Sequence, residues 1–441
     1  MLVKESYLGI LETRTIDIKL HLGGMAYAPA VWLAVQEHVL RTANDNTNVN
    51  VTKYSQGRTN VNVTQRLLDQ LDDAFLFNNF HFNRQSLTFI ADLIRTSIDN
   101  DGNKDSQQVD AMVLVALYFY ANGTLSRKIT DLVGLDKTAA TDAVKTVSRL
   151  LAGLAEKFIT FPGSHNDRVC VAQGIKDLCR IPNAVGVLGC MHIKVTPPAE
   201  NLALYKNSLD YNSVMVQTIC DVNGNLLAVE KCCPGGTPAQ QIWEKSVIFQ
   251  HFKQGYNGPT WVIGGQGYQL STYILPPKHP SKVKNAASLS YNKAHHKALS
   301  CSLRTIGSIK NRFRCLEDLG QVYSGTLDHI ARVIYACCVL HNIGKKFSVP
   351  LPRELVPEPL HLVPFAAEMP DSATTISEAE IIQDDMIITC FHSPSDEPSQ
   401  AAEAGLQGGC WEDDDDDDEE EGSPERGQHG SETLQTQEQE S

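Results

Sequence analysis

Carboxylates that could bind a divalent metal ion are scarce in the middle of this chain. Asp221 ends an apolar run, Asp210 precedes that run and Glu230 follows it. Two-metal cleavage of a phosphodiester needs acidic ligands around cations about 3.5–4 Å apart, and Mg²⁺ prefers oxygen ligands. Yet no Asp or Glu lies between Glu244 and Glu317. A lone Asp beside a turn is more typical of a turn cap, so Asp221 is only a weak metal candidate.

Histidine and cysteine are the other residue types that could bind a metal here. Four histidines lie in apolar or helical stretches without a neighbouring acid, and we interpret them as hydrogen-bonded core residues: His192, His295, His296 and His341. The twelve cysteines include no CxxC pair, and most lie in apolar runs. Buried free thiols behave as small apolar side chains, and disulfides are rare in reducing compartments. We therefore predict core cysteines of an intracellular protein rather than a zinc site or a disulfide framework.

The elements that would position these side chains lie in residues 184–316. Apolar runs indicate strands, and two β-rich runs around Asn223-Gly224 form the strongest short-range hairpin signal. The predicted elements are a buried strand at 184–195, a hairpin of 213–221 and 226–233, a short strand at 261–265 and a helix over about 292–313. This order predicts a mixed sheet with helices packed on it.

Five motifs give this segment a specific resemblance. Gly186-Val-Leu-Gly-Cys-Met-His-Ile193 resembles G-V-I-D-x-x-H-I, Ile263-Gly-Gly-Gln-Gly-Tyr-Gln-Leu270 resembles L-G-D-S-G-Y-P-L, Tyr291-Asn-Lys-Ala-His295 resembles F-N-x-A-H, Asn311-Arg-Phe-Arg-Cys-Leu316 resembles A-R-F-R-C-L, and Ala336-Cys-Cys-Val-Leu-His-Asn-Ile343 resembles A-C-C-V-L-H-N-I. These are motifs of the Harbinger (PIF) transposase-derived nuclease family. The resemblance covers roughly residues 70–350, and the motifs occur in the family's order.

The resemblance implies an RNase H-like fold with a DDE metal site, but the acids of that site are missing. The family's three metal-binding acids fall on Gly189, Gly265 and Leu303, and a further family Asp falls on Ala239. None of these four residues has a side-chain oxygen. The resemblance therefore implies a retained fold without a working nuclease site. No cofactor is expected for this chain, although the family uses a divalent metal such as Mg²⁺.

The acid-free segment between Glu244 and Glu317 is instead rich in cations. It contains eleven Lys and Arg residues, and positive side chains are the usual contacts to DNA phosphates. The candidates for DNA contact in this segment are Lys293, Lys297, Arg304, Lys310, Arg312 and Arg314.

A second candidate for DNA contact precedes the sheet. Helices are predicted at 111–120, at 126–133 and from Lys137 to Leu150, after the N-cap residue Asp136. Helix, glycine-containing turn and helix is the helix-turn-helix arrangement, and the family has a similar DNA-binding unit here. The last helix offers Lys137, Thr138, Thr141 and Lys145 to phosphates and base edges. Asp142 stands where the family has arginine, so a helical hairpin used only for packing stays an open alternative.

Charge and composition divide the chain. From Asp371 to Ser441 there are 22 acidic residues and one arginine, whereas the preceding 370 residues carry 37 Lys plus Arg against 30 acids. The predicted organisation is an N-terminal segment and polar linker (1–68), a helical, helix-turn-helix-like domain (69–160), an RNase H-like domain (161–350) and a proline-rich, then acidic, disordered tail (351–441). The overall expectation is thus an α/β fold preceded by an all-helical domain.

The ten-residue acidic run at 412–421 defines the tail. Such a run cannot bury enough apolar surface to fold by itself; it either solubilises the chain or binds basic partners. The N-terminus lacks the basic start and apolar core of a signal peptide, and no apolar run reaches the roughly 18–20 residues that span a bilayer. We expect a soluble protein of the nucleus, the cytoplasm or both.

The leading functional hypothesis is a domesticated, catalytically inactive relative of Harbinger transposases. It would bind DNA, chromatin or a protein in the nucleus, and the resemblance adds a small Myb-like DNA-binding protein as a partner. The alternative is a divalent-metal-dependent nuclease with a degenerate ligand set around Asp221, Asp210 or Glu230. A gene copy whose product folds but has no function is the third possibility.

Overall fold

The computed structural model describes residues 67–98, 106–197, 201–322, 327–359, 365 and 378–392. Predictions for the N-terminal segment, most of its polar linker and the acidic run at 412–421 lie outside the described residues. No helix in the described part of the chain is long and apolar enough to cross a membrane.

Helices make up the first half of the described chain. Their bounds are Asp73–Phe80 (α1), Arg84–Ile98 (α2), Ser106–Asn122 (α3), Arg127–Val133 (α4), Lys137–Gly153 (α5), Ala155–Phe158 (α6) and His165–Cys179 (α7). The helices predicted at 111–120, 126–133 and 137–150 are confirmed as α3, α4 and α5. Asp136 caps α5 as predicted, since its carboxylate accepts a hydrogen bond from the backbone N–H of Ala139 at 2.8 Å.

The helix α7 corrects the predicted set of elements, which included no helix within residues 160–183. A capping box starts α7: the Ser164 hydroxyl accepts from the N–H of Asp167, and the Asp167 carboxylate accepts from the N–H of Ser164. Ile175 and Cys179 are buried on its inner side. The helix was missed because its sequence is polar overall and only one narrow side faces the core.

Five strands form one mixed sheet, as predicted. They are Ala184–Lys194 (β1), Ser213–Cys220 (β2), Leu226–Pro234 (β3), Trp261–Ile263 (β4) and Ile274–Leu275 (β5), in the order β3-β2-β1-β4-β5. β2 pairs antiparallel with β1 and β3, whereas β1 and β4 are parallel. The predicted hairpin is confirmed, and Gly224 in its turn has a φ of +78°, which glycine adopts without strain. β5, with two residues, was too short to predict.

The remaining helices surround this sheet. Their bounds are Leu202–Tyr205 (α8), Ala239–Glu244 (α9), Val247–Lys253 (α10), Ala286–Arg312 (α11), Leu319–Val322 (α12), Leu327–Lys346 (α13) and Glu378–Phe391 (α14). α11 is the longest, with 27 residues. It starts six residues before the predicted position, because Asn285 caps it by accepting a hydrogen bond from the N–H of Ser288 at 2.8 Å.

The two faces of the sheet are covered by different helices. On one face, α7 and α11 pack on β1, and Val187 shares a hydrophobic cluster with Ile175 and Tyr291. Leu188, the next residue, belongs to a cluster with Trp243 and Phe252 of α9 and α10. Neighbouring strand residues point to opposite faces, so the two clusters lie on opposite sides of the sheet. A third cluster joins helices α1–α5 to the sheet and to α13.

α14 lies in the segment that was predicted to be disordered, and this is the second correction. It packs against α11, and Met386, Ile387 and Phe391 are buried there. The polar and acidic composition of the surrounding segment hid this short helix. Hydropathy averaged over a long window does not detect a helix of 14 residues within a polar segment.

Candidate functional site

Gly189 occupies the first position that the resemblance assigns to a metal-binding acid. It lies in the middle of β1, opposite Thr218 of β2, and is buried beneath α11. A Cβ atom at this position would lie 3.0 Å from the Cβ of Ser302 and 3.0 Å from the Cδ1 of Ile306. Both distances are tighter than ordinary van der Waals contact. α11 therefore packs closely on β1 at Gly189, and a larger side chain there would require Ser302 and Ile306 to shift.

Gly265, at the second position, differs from Gly189. It lies two residues after the end of β4 and is half-buried. A Cβ atom there would have no heavy atom within 4 Å. A side chain therefore has space at Gly265, whereas atoms of Ser302 and Ile306 crowd the same position at Gly189.

Leu303, at the third position, lies beside an extended segment, residues 349–359, which we term the C-terminal strap. The Leu303 carbonyl accepts a hydrogen bond from the N–H of Glu358 at 3.0 Å. One turn further along α11, a Cβ on Gly307 would lie 2.3 Å from the carbonyl oxygen of Val356. The strap therefore crosses α11 in direct backbone contact, and the side chain of Glu358 forms an ion pair with Lys310.

Ala239, at the fourth position, borders a buried network without charge. Its carbonyl accepts a hydrogen bond from Nε2 of Gln217 at 3.2 Å, and the same nitrogen donates to the Tyr268 hydroxyl at 2.6 Å. The Cys190 sulfur lies 3.4 Å from that hydroxyl. Burial raises the pKa of both the Tyr268 phenol and the Cys190 thiol. These groups are therefore neutral at physiological pH.

The acids named in the alternative nuclease hypothesis have other partners. Both carboxylate oxygens of Asp221 accept hydrogen bonds from Asn225, at 2.8 Å from its backbone and 2.7 Å from its side chain. Asp210 is exposed and pairs with Lys206 at 2.6 Å. Glu230 is buried, which raises its pKa to about 7, and it accepts backbone hydrogen bonds at the start of α10. The described residues contain no group of three His, Cys, Asp or Glu placed to hold a metal ion.

Two of the three motif histidines bond to the backbone, and Nδ1 of the third, His192, lies 3.0 Å from the Ser213 hydroxyl. Nε2 of His295 donates to the carbonyl of Leu275 at 3.0 Å, and Nε2 of His341 donates to the carbonyl of Gly224 at 2.8 Å. Burial lowers the pKa of both imidazoles to about 4. The prediction of hydrogen-bonded core histidines is confirmed for these two. His296 instead lies on the exposed side of α11.

The DNA-contact candidates of α5 lie in its first turns. Lys137 and Thr138 are exposed, whereas Thr141 is half-buried and its hydroxyl donates to the Lys137 carbonyl at 2.9 Å. Lys145 lies 3.4 Å from the carboxylate of Asp142. The opposite side of α5 packs against α3 and α13. The α5 surface thus presents one exposed cation at its start and a second that is paired with an acid.

The candidates on α11 form a stripe of exposed cations. Lys293, Lys297 and Arg304 are exposed and lie, with His296, on one side of the helix; we term these four residues the outer stripe. At a rise of 1.5 Å per residue the stripe is about 16 Å long. Within the described residues, no carboxylate forms an ion pair with Lys293, Lys297 or Arg304. The stripe therefore presents uncompensated positive charge.

Arg312 does not belong to that surface, which corrects its prediction as a DNA contact. It is only 3% exposed. Its guanidinium donates to the carbonyls of His81, Val349 and Pro350 at 2.5, 2.8 and 3.1 Å, and it stacks on Phe82. Burial lowers its pKa to about 10. Arg312 thus joins the end of α11 to the α1–α2 connection and to the strap.

The two other candidates near the end of α11 differ in exposure. Lys310 is half-buried and forms the ion pair with Glu358, whereas Arg314 is exposed and lies 3.7 Å from Glu317. Each of these two cations therefore has a carboxylate nearby.

The structure also pairs two lysines that sequence reasoning left aside. Lys278 forms an ion pair with Asp384, and Lys282 forms one with Glu380 at 3.0 Å. Both carboxylates belong to α14. The sequence signal for this pairing was the spacing of four residues between Glu380 and Asp384, which places both on one side of a helix. It was missed because the segment was predicted to be disordered.

Comparison with known proteins places these features in a family. Residues 188–342 match the DDE superfamily endonuclease family. The chain is 27% identical over 326 residues to "Putative nuclease HARBI1" of Bos taurus, covering 74% of this chain and 92% of that protein. The Homo sapiens protein of the same name is 26% identical over 326 residues, with the same coverage. "Protein ALP1-like" of Arabidopsis thaliana is 20% identical over 286 residues, covering 60% and 69%. No solved structure matches.

Proposed function

Because this chain belongs to the Harbinger transposase-derived nuclease family, we propose that it retains an RNase H-like core, has lost nuclease activity and acts as a nuclear DNA-binding protein. The observation that carries the proposal is the tight space at Gly189, where a Cβ atom would lie 3.0 Å from atoms of Ser302 and Ile306. A metal-binding acid there would require these two side chains to shift.

The donor set supports the loss of catalysis. Hard divalent cations need several oxygen ligands, and a two-metal site needs them from several acids. Gly189, Gly265, Leu303 and Ala239 offer none, and Asp221 uses both oxygens within its own turn. These residues do not fit a divalent metal, so no cleavage step is derived for this chain.

The outer stripe supports binding to DNA. Cations that neutralise phosphates release condensed counterions, so affinity falls steeply with salt. Lys293, Lys297 and Arg304 lie in line on a rigid helix of 27 residues that contains no acid. Lys137, at the exposed start of α5, is a second possible contact. A stripe of this kind recognises the phosphate backbone and carries no base-specific information by itself.

DNA binding is tested with the full chain and a fluorescent duplex, by anisotropy over a series of salt concentrations. The variant K293A/K297A/R304A is expected to reduce the slope of log affinity against log salt by about 2 to 3, at roughly 0.9 per lost phosphate contact. The control K176A/K245A/K253A removes the same charge from exposed positions outside α11. Equal slopes for the two variants would refute the assignment of the stripe.

The loss of catalysis is tested separately. The full chain is incubated with duplex DNA and Mg²⁺ or Mn²⁺, and we expect no metal-dependent cleavage. Cleavage that disappears in the Asp221→Ala variant would overturn this part of the proposal and favour a degenerate metal site around Asp221.

A protein partner completes the proposal. The family resemblance implies a small Myb-like DNA-binding protein that recognises the DNA sequence, while this chain contributes phosphate contacts. The expected result is a stable complex of the two purified proteins in size-exclusion chromatography. Separate elution at micromolar concentrations would remove this partner from the proposal.

A further inference from the structure

The basic segment before α11 is covered by the acidic side of α14. Lys278 and Lys282 lie in the connection between β5 and α11, in a part of the sequence that has no acid of its own. Their countercharges come from about 100 residues away: Lys278 pairs with Asp384, and Lys282 pairs with Glu380. Lys284, which follows them, is exposed.

Contacts other than these ion pairs hold α14 in place. Nε2 of Gln383 donates to the carbonyl of Pro276 at 3.1 Å and lies 3.2 Å from the Tyr291 hydroxyl. The ring of Phe391 meets that of Tyr291 at 5.9 Å, and the guanidinium of Arg180 stacks on Phe391. Met386 and Ile387 are buried in the same cluster. The helix therefore stays anchored even if its carboxylates release their lysines.

The ion pairs themselves are partly solvated. Side-chain exposure is 43% for Lys282 and 35% for Glu380, and 14% for Lys278 and 50% for Asp384. Exposed ion pairs contribute little, typically about 0–1 kcal/mol. A polyanion that brings several phosphates at once can thus displace the two carboxylates, because only side-chain rotations are needed and the apolar side of α14 remains packed.

We propose that Lys278, Lys282 and Lys284 form a second phosphate-binding surface for duplex DNA, and that Glu380 and Asp384 of α14 occupy it as internal competitors. This inference rests on the proposed DNA-binding function and adds a surface to it. The surface adjoins α11, because the backbone N–H of Lys278 donates a hydrogen bond to the side chain of Asn292 at 2.8 Å. Bound phosphates replace the carboxylates as partners of Lys278 and Lys282.

The experiment compares two charge-neutralised variants that differ only in position along α14. E380Q/D384N removes the two carboxylates that pair with lysines and keeps side-chain size. The control E378Q/D385N removes two exposed carboxylates of the same helix that form no ion pair within the described residues. Both variants change the net charge by the same amount, so a general charge effect is equal in the two.

DNA affinity and its salt dependence are measured as for the outer stripe. For E380Q/D384N we expect about tenfold tighter binding than the control at low salt, because Lys278 and Lys282 lose the carboxylates that α14 provides. Adding K278A/K282A to E380Q/D384N is expected to abolish that gain. Equal affinities for E380Q/D384N and E378Q/D385N would overturn the inference while leaving the proposed function intact. Absence of DNA binding in every variant, wild type included, would overturn the proposed function.

A measurement without DNA provides an independent check. Acetylation by an N-hydroxysuccinimide ester, followed by mass spectrometry, reports the accessibility of each lysine amine. Lys278 is expected to react slowly in the wild type relative to Lys293, and several-fold faster in E380Q/D384N. An unchanged rate in that variant would show that α14 does not mask the lysine, and would overturn internal competition.

Discussion

The two sides of α11 belong to one helix without acidic residues, but they differ in charge. Its inner side meets the sheet, where Ser302 and Ile306 close over Gly189 and His295 donates to a backbone carbonyl. Its outer side presents Lys293 and Arg304 to solvent. Where α11 faces β1, Ser302, Ile306 and the neutral His295 carry no charge, whereas the outer side carries cations.

This difference separates two requirements. Metal ligands must converge on one buried point, and neither Gly189 nor Leu303 offers a side-chain oxygen there. Phosphate contacts act side by side on the surface and do not depend on that point. The proposed binding of DNA by the outer side therefore does not require a metal site on the inner side.

The largest effect is expected for Gly189→Asp. The new side chain would clash with Ser302 and Ile306 and would bury a carboxylate without a partner. We expect the free energy of unfolding to fall by about 5 kcal/mol, measured by urea denaturation. Gly265→Asp is the matched control, because nothing lies within 4 Å of its Cβ position, and it should cost less than about 1 kcal/mol. Similar losses of stability for the two variants would mean that α11 does not crowd the side-chain position at Gly189.

A smaller loss is expected for Arg312→Ala. The variant leaves three backbone carbonyls without their guanidinium donor, and unsatisfied buried groups cost about 1–3 kcal/mol each in the worst case. We expect a total loss of about 4 kcal/mol in the free energy of unfolding. Arg304→Ala, eight residues earlier on the exposed side, should change it by under about 0.5 kcal/mol. A tolerated Arg312→Ala would refute the role of Arg312 as a clamp.

The pH dependence of stability should separate His295 from its neighbour. The pKa of His295 is about 4 in the folded protein and 6.5 in the unfolded chain. The unfolded chain therefore binds more protons between these values, and stability is lost as the pH falls from 6.5 towards 4. His295→Gln should reduce that loss by about 3 kcal/mol. His296→Gln, on the exposed side, should follow the wild-type curve. Identical curves for the two variants would contradict the assignment.

The smallest effect on stability is expected for the outer stripe. The variant K293A/K297A/R304A removes exposed side chains that form no ion pair in the described part of the chain. We expect the free energy of unfolding to change by less than about 1 kcal/mol in total, although the same variant loses DNA affinity. A large destabilisation would mean that these side chains support the fold, and the comparison of the two sides would fail.

Strong local signals made much of the fold predictable. Asp136 marks the start of α5, Asn223-Gly224 marks the hairpin, and the apolar run that begins at Ala184 marks β1. The starts of α7 and α14 were missed for a common reason. α7 is polar overall and α14 lies within a polar and acidic segment, and the energy that holds each helix comes from tertiary contacts such as that of Phe391 with Tyr291.

The candidate site was less predictable than the fold. The resemblance located Gly189, Gly265 and Leu303, but the residue types could not show that space is closed at the first position and open at the second. Burial of Arg312 was equally invisible, because its partners lie far away in sequence. Pairing of Lys278 with Asp384 depended on an undetected helix. Such features depend on which segments meet in three dimensions, and one sequence does not encode this in its local pattern.

The clamp of Arg312 also has a consequence for how the chain is made. Its carbonyl partners include His81, 231 residues earlier, and Val349, near the end of the strap. During synthesis, α1 and α2 leave the ribosome long before either Arg312 or Val349 exists. Contacts of such sequence separation slow folding and leave apolar surfaces exposed meanwhile. The contact that joins the α1–α2 connection to Arg312 and the strap therefore cannot be completed until translation has passed Val349.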